Sequence, residues 1–140
     1  MPLLEMPAHG VARFLCDAAS CAGELLLWGV GRRKRMRVAG SSMRPTMAPG
    51  DHLFYRRAGA GLAAIGSVVV LRHTQSPCGF MVKRVRGHLP GGLWVASDGV
   101  GMGSERLGLI PMRDVVGLVT ARIGEGGYQR MSLNHTGARP

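Results

Sequence analysis

The chain is poor in acidic and aromatic residues. Only 8 of its 140 residues are Asp or Glu, against 18 Lys and Arg, so the formal net charge at pH 7 is +10. Such an excess favours an acidic partner, nucleic acid or an anionic membrane surface. Aromatic residues make up 5% of the chain, and nothing in it resembles a known nucleic-acid-binding module. We therefore expect no nucleic-acid partner.

Long apolar runs are also missing. A membrane span needs about 20 apolar residues, whereas the longest clean run of the N-terminal segment is residues 25–30. Residues 11–29 place apolar side chains at helical spacing but include Arg13, Asp17 and Glu24. We expect an amphipathic helix over 11–29, docked on the protein or lying along a surface. No secretory signal is visible at the start, which predicts a cytoplasmic protein, with peripheral contact at the inner membrane face as the further option.

Metal-ligand spacing is absent. Cys16, Cys21 and Cys78 leave an odd thiol over, which is most simply explained by free cysteines in a reducing compartment. The central histidines are scattered, and we expect none of them to be catalytic: His52, His73 and His88. The residues themselves therefore indicate neither a metal nor another cofactor.

Glycine is abundant, at 22 of 140 residues, and favours turns and short strands over long helices. Between turn residues, strands are predicted at 35–39, 51–56, 67–72, 80–86, 92–96 and 114–123. Trp94 and Val95 are expected to fill the core. This pattern predicts a mainly β fold, a compact coiled sheet or partial barrel, with one N-terminal amphipathic helix.

The length indicates one domain, which we divide into three segments. Residues 1–34 form an N-terminal arm and helix ending in a basic run, residues 35–123 form the main domain, and residues 124–140 form a polar tail expected to be disordered. The run RRKRMR at 32–37 has two interpretations. It is the exposed face of a first strand with Met36 and Val38 turned inward, or it contacts anionic lipid or an acidic protein.

Two stretches carry chemical interest. Residues 40–51 read GSSMRPTMAPGD, a turn-rich loop that presents Ser42 towards solvent. Residues 80–86 read FMVKRVR, a strand in which Lys83 shares a face with Met81 and Val85. Apolar neighbours lower the pKa of a lysine, and a neutral lysine can take the proton of a serine hydroxyl. Taken singly, an ordinary loop and a lysine snorkelling at a sheet edge explain both stretches.

Together these stretches resemble the type I signal peptidase superfamily of Ser-Lys proteases. The shared pattern is Gly-x-Ser-Met-x-Pro-Thr-x-x-Pro-Gly-Asp, then Gly-x-Val-Val-Val, then Val-Lys-Arg-Val, and it covers roughly residues 35–123. The resemblance implies a Ser-Lys peptidase domain over 35–123 with the signal peptidase type of fold. It also implies Ser42 as nucleophile, Lys83 as general base and no cofactor.

Residues 97–117 are similar to the third conserved box of that family, with departures. Asp98 and Ser104 match and are implied to support the site, whereas Gly103 and Glu105 replace a conserved aspartate and arginine.

The oxyanion donor of the family is also altered. Many members have a hydroxyl two residues before the nucleophile, where this chain has Gly40. Oxyanion binding would then fall to the backbone N–H of Ser42 and the hydroxyl of Ser41. One lost donor can cost about 10²–10³ in rate, so a slow enzyme is expected.

The compact form of the chain, with LLLWGVGRRKRMRV running into the serine loop, is most similar to the nickel-type superoxide dismutase maturation proteases. That resemblance implies a serine endopeptidase that removes a short N-terminal extension from the dismutase proprotein and needs no metal itself. The alternatives are a signal peptidase I-like enzyme at the membrane, a repressor that cleaves itself at Ala22-Gly23, and a non-enzymatic basic binding module with a decayed protease fold.

Overall fold

A computed structural model describes residues 8–59, 61, 63–125 and 127–131, with side chains from residue 18 onwards. A long helix, α1 (Ala8–Gly29), precedes the sheet, and a short helix, α2 (Ser104–Leu107), lies between the fifth and sixth strands. The strands are β1 (Lys34–Arg37), β2 (His52–Arg57), β3 (Val68–Arg72), β4 (Phe80–Leu89), β5 (Gly92–Ala96), β6 (Ile110–Pro111), β7 (Val115–Gly124) and β8 (Gly127–Arg130). The structure confirms the expected helix and the mainly β composition.

The strands form one antiparallel sheet in the order β1-β2-β7-β3-β4-β5-β6, and β8 pairs with β7. Register shifts interrupt the pairing at Phe54/Tyr55, Val70/Leu71 and Val85/Gly87. Such bulges bend a strand and increase its twist. The sheet accordingly curls into a half-barrel, which confirms the expected coiled or partly closed sheet.

The core lies on both faces of β3. Val69 and Leu71 belong to one buried cluster, and Val68 and Val70 belong to the other. Because strand side chains alternate between faces, the continuous run of apolar residues in β3 is buried on each side. This arrangement leaves β3 as the central strand that supports its neighbour β4.

Two expectations are corrected by the structure. Val95 is fully buried, but Trp94 is 39% exposed, because adjacent strand residues point to opposite faces and cannot both enter one core. The tail is not disordered throughout, since Gly127–Arg130 pairs with Ala121–Gly124 as β8. Glycine at position 127, with φ 83°, permits the tight turn between the two strands. Residues 1–7 and 132–140 lie outside the described residues.

Helix α1 attaches to the sheet through a polar side chain. Glu24 accepts a hydrogen bond from Thr120 Oγ1 of β7 at 3.1 Å and forms a 3.2 Å ion pair with Arg33 Nε. Of the helices in the described part of the chain, none is long and apolar enough to cross a membrane.

Candidate active site

The serine loop, residues 40–51, connects β1 to β2. Its base is closed by two backbone hydrogen bonds, from Val38 to Asp51 and from Gly50 to Val38, each 2.8 Å long. Within it, Met43 and Met47 are 2% and 1% exposed and pack into the core. The buried methionines anchor the loop to the core, and Ser42 is half-buried at the surface of the loop.

Lys83 reaches this loop from β4. Its backbone is paired with Val69 of β3, and its side chain is only 4% exposed. The Nζ atom lies 3.4 Å from Ser42 Oγ, although the two residues are 41 positions apart in the sequence. The structure therefore brings together the two residues that the sequence motifs select.

A third side chain completes the cluster. Lys83 Nζ donates to Ser97 Oγ at 2.8 Å, and Ser97 Oγ donates its own hydrogen to the Met102 carbonyl at 3.2 Å. Because that hydrogen is engaged, Ser97 can only accept from Lys83. One N–H of Lys83 therefore points to Ser97, and this bond fixes the position of Nζ beside Ser42.

The electrostatics of the lysine match this geometry. Burial lowers the pKa of Lys83 below its ordinary value, and the nearby Glu105 carboxylate opposes this by favouring the ammonium form. Glu105 itself accepts a 2.9 Å hydrogen bond from the Gly103 N–H, and this bond is the main reason why the pKa of Glu105 is lowered. The fully buried Val85 lies beside the lysine on β4, as the alternating pattern predicts.

Asp98 links the two loops to the sheet. Its carboxylate receives two 2.7 Å hydrogen bonds from Nε and Nη2 of Arg84, and one of 2.5 Å from Thr46 Oγ1 in the serine loop. Arg84 also donates to the Gly66 carbonyl at 2.7 Å. Burial alone would raise the pKa of Asp98, but the hydrogen bonds from Arg84 and Thr46 hold it below its usual value.

The loop after β5 lies directly on the serine loop. The Gly99 N–H donates to the Ser42 carbonyl at 2.8 Å. A Cβ on Gly99 would stand 2.7 Å from the Arg44 carbonyl oxygen, and a Cβ on Gly101 would stand 2.5 Å from Ser42 Cβ. Glycine is required at both positions because the backbone of the serine loop approaches Gly99, and the side chain of Ser42 approaches Gly101, too closely for a Cβ.

The remaining expected site residues have other positions. Ser104 is 2% exposed, and its hydroxyl accepts a 2.8 Å hydrogen bond from the Val95 N–H, so it joins α2 to β5. Ser41 is exposed beside Ser42, and its oxyanion role stays a prediction. Two of the histidines make contacts of their own: His88 with the Ala63 carbonyl, and His73 with the Gln75 N–H.

The sequence assigned no role in the site to Ser97, Arg84 or Thr46, although Arg84 and Thr46 belong to the shared pattern. Ser97 had a signal, because its hydroxyl directly precedes Asp98, which the motif selects. Arg84 had a weaker one, as a second cation inside an apolar strand with an aspartate to neutralise it. The partnership of Thr46 with Asp98 depends on two loops meeting, which local sequence does not reveal.

Comparison with known proteins adds no relative. The chain matches no model of a known protein family and no curated protein. Among the described residues, no group of three or more His, Cys, Asp or Glu side chains could hold a metal ion. What the structure defines is a mainly β protein with a curled antiparallel sheet, in which a buried lysine meets two serine hydroxyls.

Proposed function

We propose that the protein is a serine endopeptidase with Ser42 as nucleophile and Lys83 as general base. The observation that carries the proposal is the buried Lys83 Nζ, 3.4 Å from Ser42 Oγ. A nucleophile and a base in mutual reach, with the base oriented by a third group, are the recurring elements of an activated hydroxyl. The distance is slightly longer than a strong hydrogen bond, as is common without substrate.

The geometry supports a two-step acyl transfer. Neutral Lys83 takes the Ser42 proton as Oγ bonds to the scissile carbonyl carbon, and the resulting ammonium gives that proton to the amide nitrogen as the C–N bond breaks. Water then attacks the acyl-serine with Lys83 again as base, which releases the acid and restores Ser42. The backbone N–H of Ser42 is the proposed donor to the oxyanion.

Ser97 has a positioning role in this scheme. Its hydroxyl oxygen accepts from Nζ at 2.8 Å whether the lysine is neutral or charged. The bond stabilises the ammonium that forms during attack and keeps the side chain from rotating away. Asp98 has an indirect role. It binds Arg84 and Thr46, and these contacts fix the loop that contains Ser97.

The proposed substrate is a precursor protein with a short N-terminal extension. Resemblance of the serine loop and of β4 to the Ser-Lys proteases supports a peptide substrate. Resemblance to the nickel-type superoxide dismutase maturation proteases supports the dismutase proprotein in particular, and the signal peptidase type of fold belongs to the same proposal. A half-buried Ser42 at the loop surface is compatible with a polypeptide substrate.

The test is cleavage of the purified proprotein, with the new N-terminus read by mass spectrometry. Ser42→Ala is the inactive control, and Ser76→Ala is a matched change at a serine of the β3–β4 turn. We expect one cut by the wild type and by Ser76→Ala, and none by Ser42→Ala. Binding without cleavage by the wild type would favour the non-enzymatic module, and equal cleavage by Ser42→Ala would refute the nucleophile.

A further inference from the structure

From residue 18 onwards, where the structure describes the side chains, the outer face of α1 is apolar. It comprises the exposed residues of the described part of the helix and the residue that follows it: Ala18, Ala19, Ala22, Leu25, Leu26, Trp28, Gly29 and Val30. Leu26 is 68% exposed and Val30 62%. Residues 18–31 include a single charged residue, Glu24, and it is turned inward to Thr120 and Arg33. A helix that faces water normally has the opposite arrangement.

A strongly basic segment, residues 32–37, adjoins this face. Four of its side chains are exposed: Arg32, Lys34, Arg35 and Arg37. The guanidinium of Arg35 lies 4.9 Å from the centroid of the Trp28 ring, a cation–π contact. This contact places the basic segment directly against α1. The basic side chains and the apolar face of the helix therefore form one continuous surface.

We propose that the outer face of α1 and the basic segment 32–37 together bind an anionic lipid bilayer surface. Leu25, Leu26 and Trp28 enter the boundary between headgroups and acyl chains, and the basic side chains contact lipid phosphates. Peripheral helices bind in this way, through buried apolar area combined with attraction to anionic lipid. Tryptophan is enriched at this boundary because its ring is apolar and its N–H is polar.

The charge of the chain favours lipid over a second copy. Pairing two outer faces would bring two basic segments together on molecules that each carry a net charge of +10. Like charges at that density repel. An anionic bilayer satisfies the apolar and the basic parts at once. The inference uses neither Ser42 nor Lys83 and is independent of the proposed peptidase activity.

Co-sedimentation of the full chain with vesicles tests the proposal. One set of vesicles is pure phosphatidylcholine, and the other contains phosphatidylserine at about 30%. We expect binding to the anionic set, weakened by added salt, and much weaker binding to the neutral set. In Trp94→Phe, Trp28 is the remaining tryptophan, and its emission should shift to shorter wavelength when anionic vesicles are added.

Two variants address the apolar and the basic parts separately. Leu26→Glu should weaken binding at least about tenfold, whereas Ile65→Glu is the matched control at a side chain of similar exposure, 62%. Replacement of Lys34 and Arg37 by Gln should weaken it about fivefold per charge. The same change at Arg72 and Arg113, which are exposed on other elements, is the control. All of the changed side chains are exposed, and thermal unfolding verifies the fold.

Several results would overturn the proposal. One is equal binding to both vesicle types, and another is equal loss of binding in variant and control. A third is no binding to either vesicle at low salt. Self-association in sedimentation equilibrium that Leu26→Glu abolishes, without vesicle binding by the wild type, would show that a second copy covers the face.

Discussion

Gly101 lies against Ser42 so closely that a Cβ on Gly101 would stand 2.5 Å from the Cβ of Ser42. Ser42, the proposed nucleophile, is therefore held in place partly by a residue without a side chain. Two residues earlier in the same loop, the Gly99 N–H adds a 2.8 Å hydrogen bond to the Ser42 carbonyl. These contacts make the loop after β5 a wall of the site, and they lead to the first prediction.

Gly101→Ala should lower kcat/KM by about 10², since a displacement near 1 Å can have that effect on a reacting group. The cause is steric, because the new methyl group must displace Ser42 or its own loop. Gly59→Ala is the matched control, as a Cβ there meets nothing within 4 Å. Peptide hydrolysis and thermal unfolding should be measured together. Activity within twofold of the wild type would show that the contact does not position Ser42.

The dyad makes a second prediction. Lys83→Ala should abolish activity, and the double variant with Ser42→Ala should be no worse than either single one, because the two groups act as a unit. Lys34→Ala, at an exposed lysine of β1, is the control. Single-turnover measurements on a peptide substrate decide the matter. Retention of more than a tenth of the activity by Lys83→Ala would exclude it as the base.

The third prediction concerns Ser97. Ser97→Ala removes the acceptor that holds Lys83 Nζ at 2.8 Å. We expect kcat to fall about tenfold or more with little change in KM. The ascending limb of the pH profile should move to lower pH, since a hydrogen bond that favours the charged amine is lost. Ser97→Thr keeps the hydroxyl and should recover part of the rate. An unshifted limb in Ser97→Ala would reduce Ser97 to a structural residue.

The fourth prediction concerns the pH dependence of activity. Burial lowers the pKa of Lys83, and the Glu105 carboxylate partly reverses this. Activity should therefore rise with pH through the lowered lysine pKa. Glu105→Gln removes the opposing charge and should move the limb to still lower pH. The profile should not change when each histidine in turn becomes Gln: His52, His73 and His88. A limb near about 6.5 that one of these changes removes would point to a histidine base.

The fifth prediction concerns the ion pair between Asp98 and Arg84. Arg84 is 6% exposed, so Asp98→Asn leaves a buried cation without its anion and should cost about 3–5 kcal/mol of unfolding free energy. The folded-state pKa of Asp98 is below its usual value. The stabilisation that ionised Asp98 contributes is therefore complete above its pKa in the unfolded state. It is lost as pH falls through its pKa in the folded state. Urea unfolding at pH 7 and pH 3 should show a smaller cost at pH 3, and an equal cost at both would contradict this.

Much of the fold could be predicted from the sequence, because it is recorded in local patterns. The helical spacing over 11–29 corresponds to α1, and the six segments predicted as strands correspond to six of the observed strands. The strands β6 and β8 were missed because one has two residues and the other has a polar sequence that pairs only through β7. Trp94 was placed on the wrong face because its neighbour Val95 takes the inward position.

The site was predictable only as far as its motifs extend. Ser42 and Lys83 were selected by residue type and order. The roles of Ser97 and Thr46 depend on two loops that touch across the sheet, far apart in the sequence. Close approach of Gly101 to Ser42 is a long-range contact of the same kind. A single sequence contains these residues but not their proximity.

Lys83 and the two serine hydroxyls come from different kinds of structural element. Lys83 is in a ten-residue strand paired on both sides, whereas Ser42 and Ser97 belong to connecting loops. Loops open locally at a smaller free energy than paired central strands. On gradual warming, the hydroxyls should therefore separate from the lysine while the sheet is intact. Any peptidase activity should therefore be lost reversibly at a temperature below the melting of the β structure.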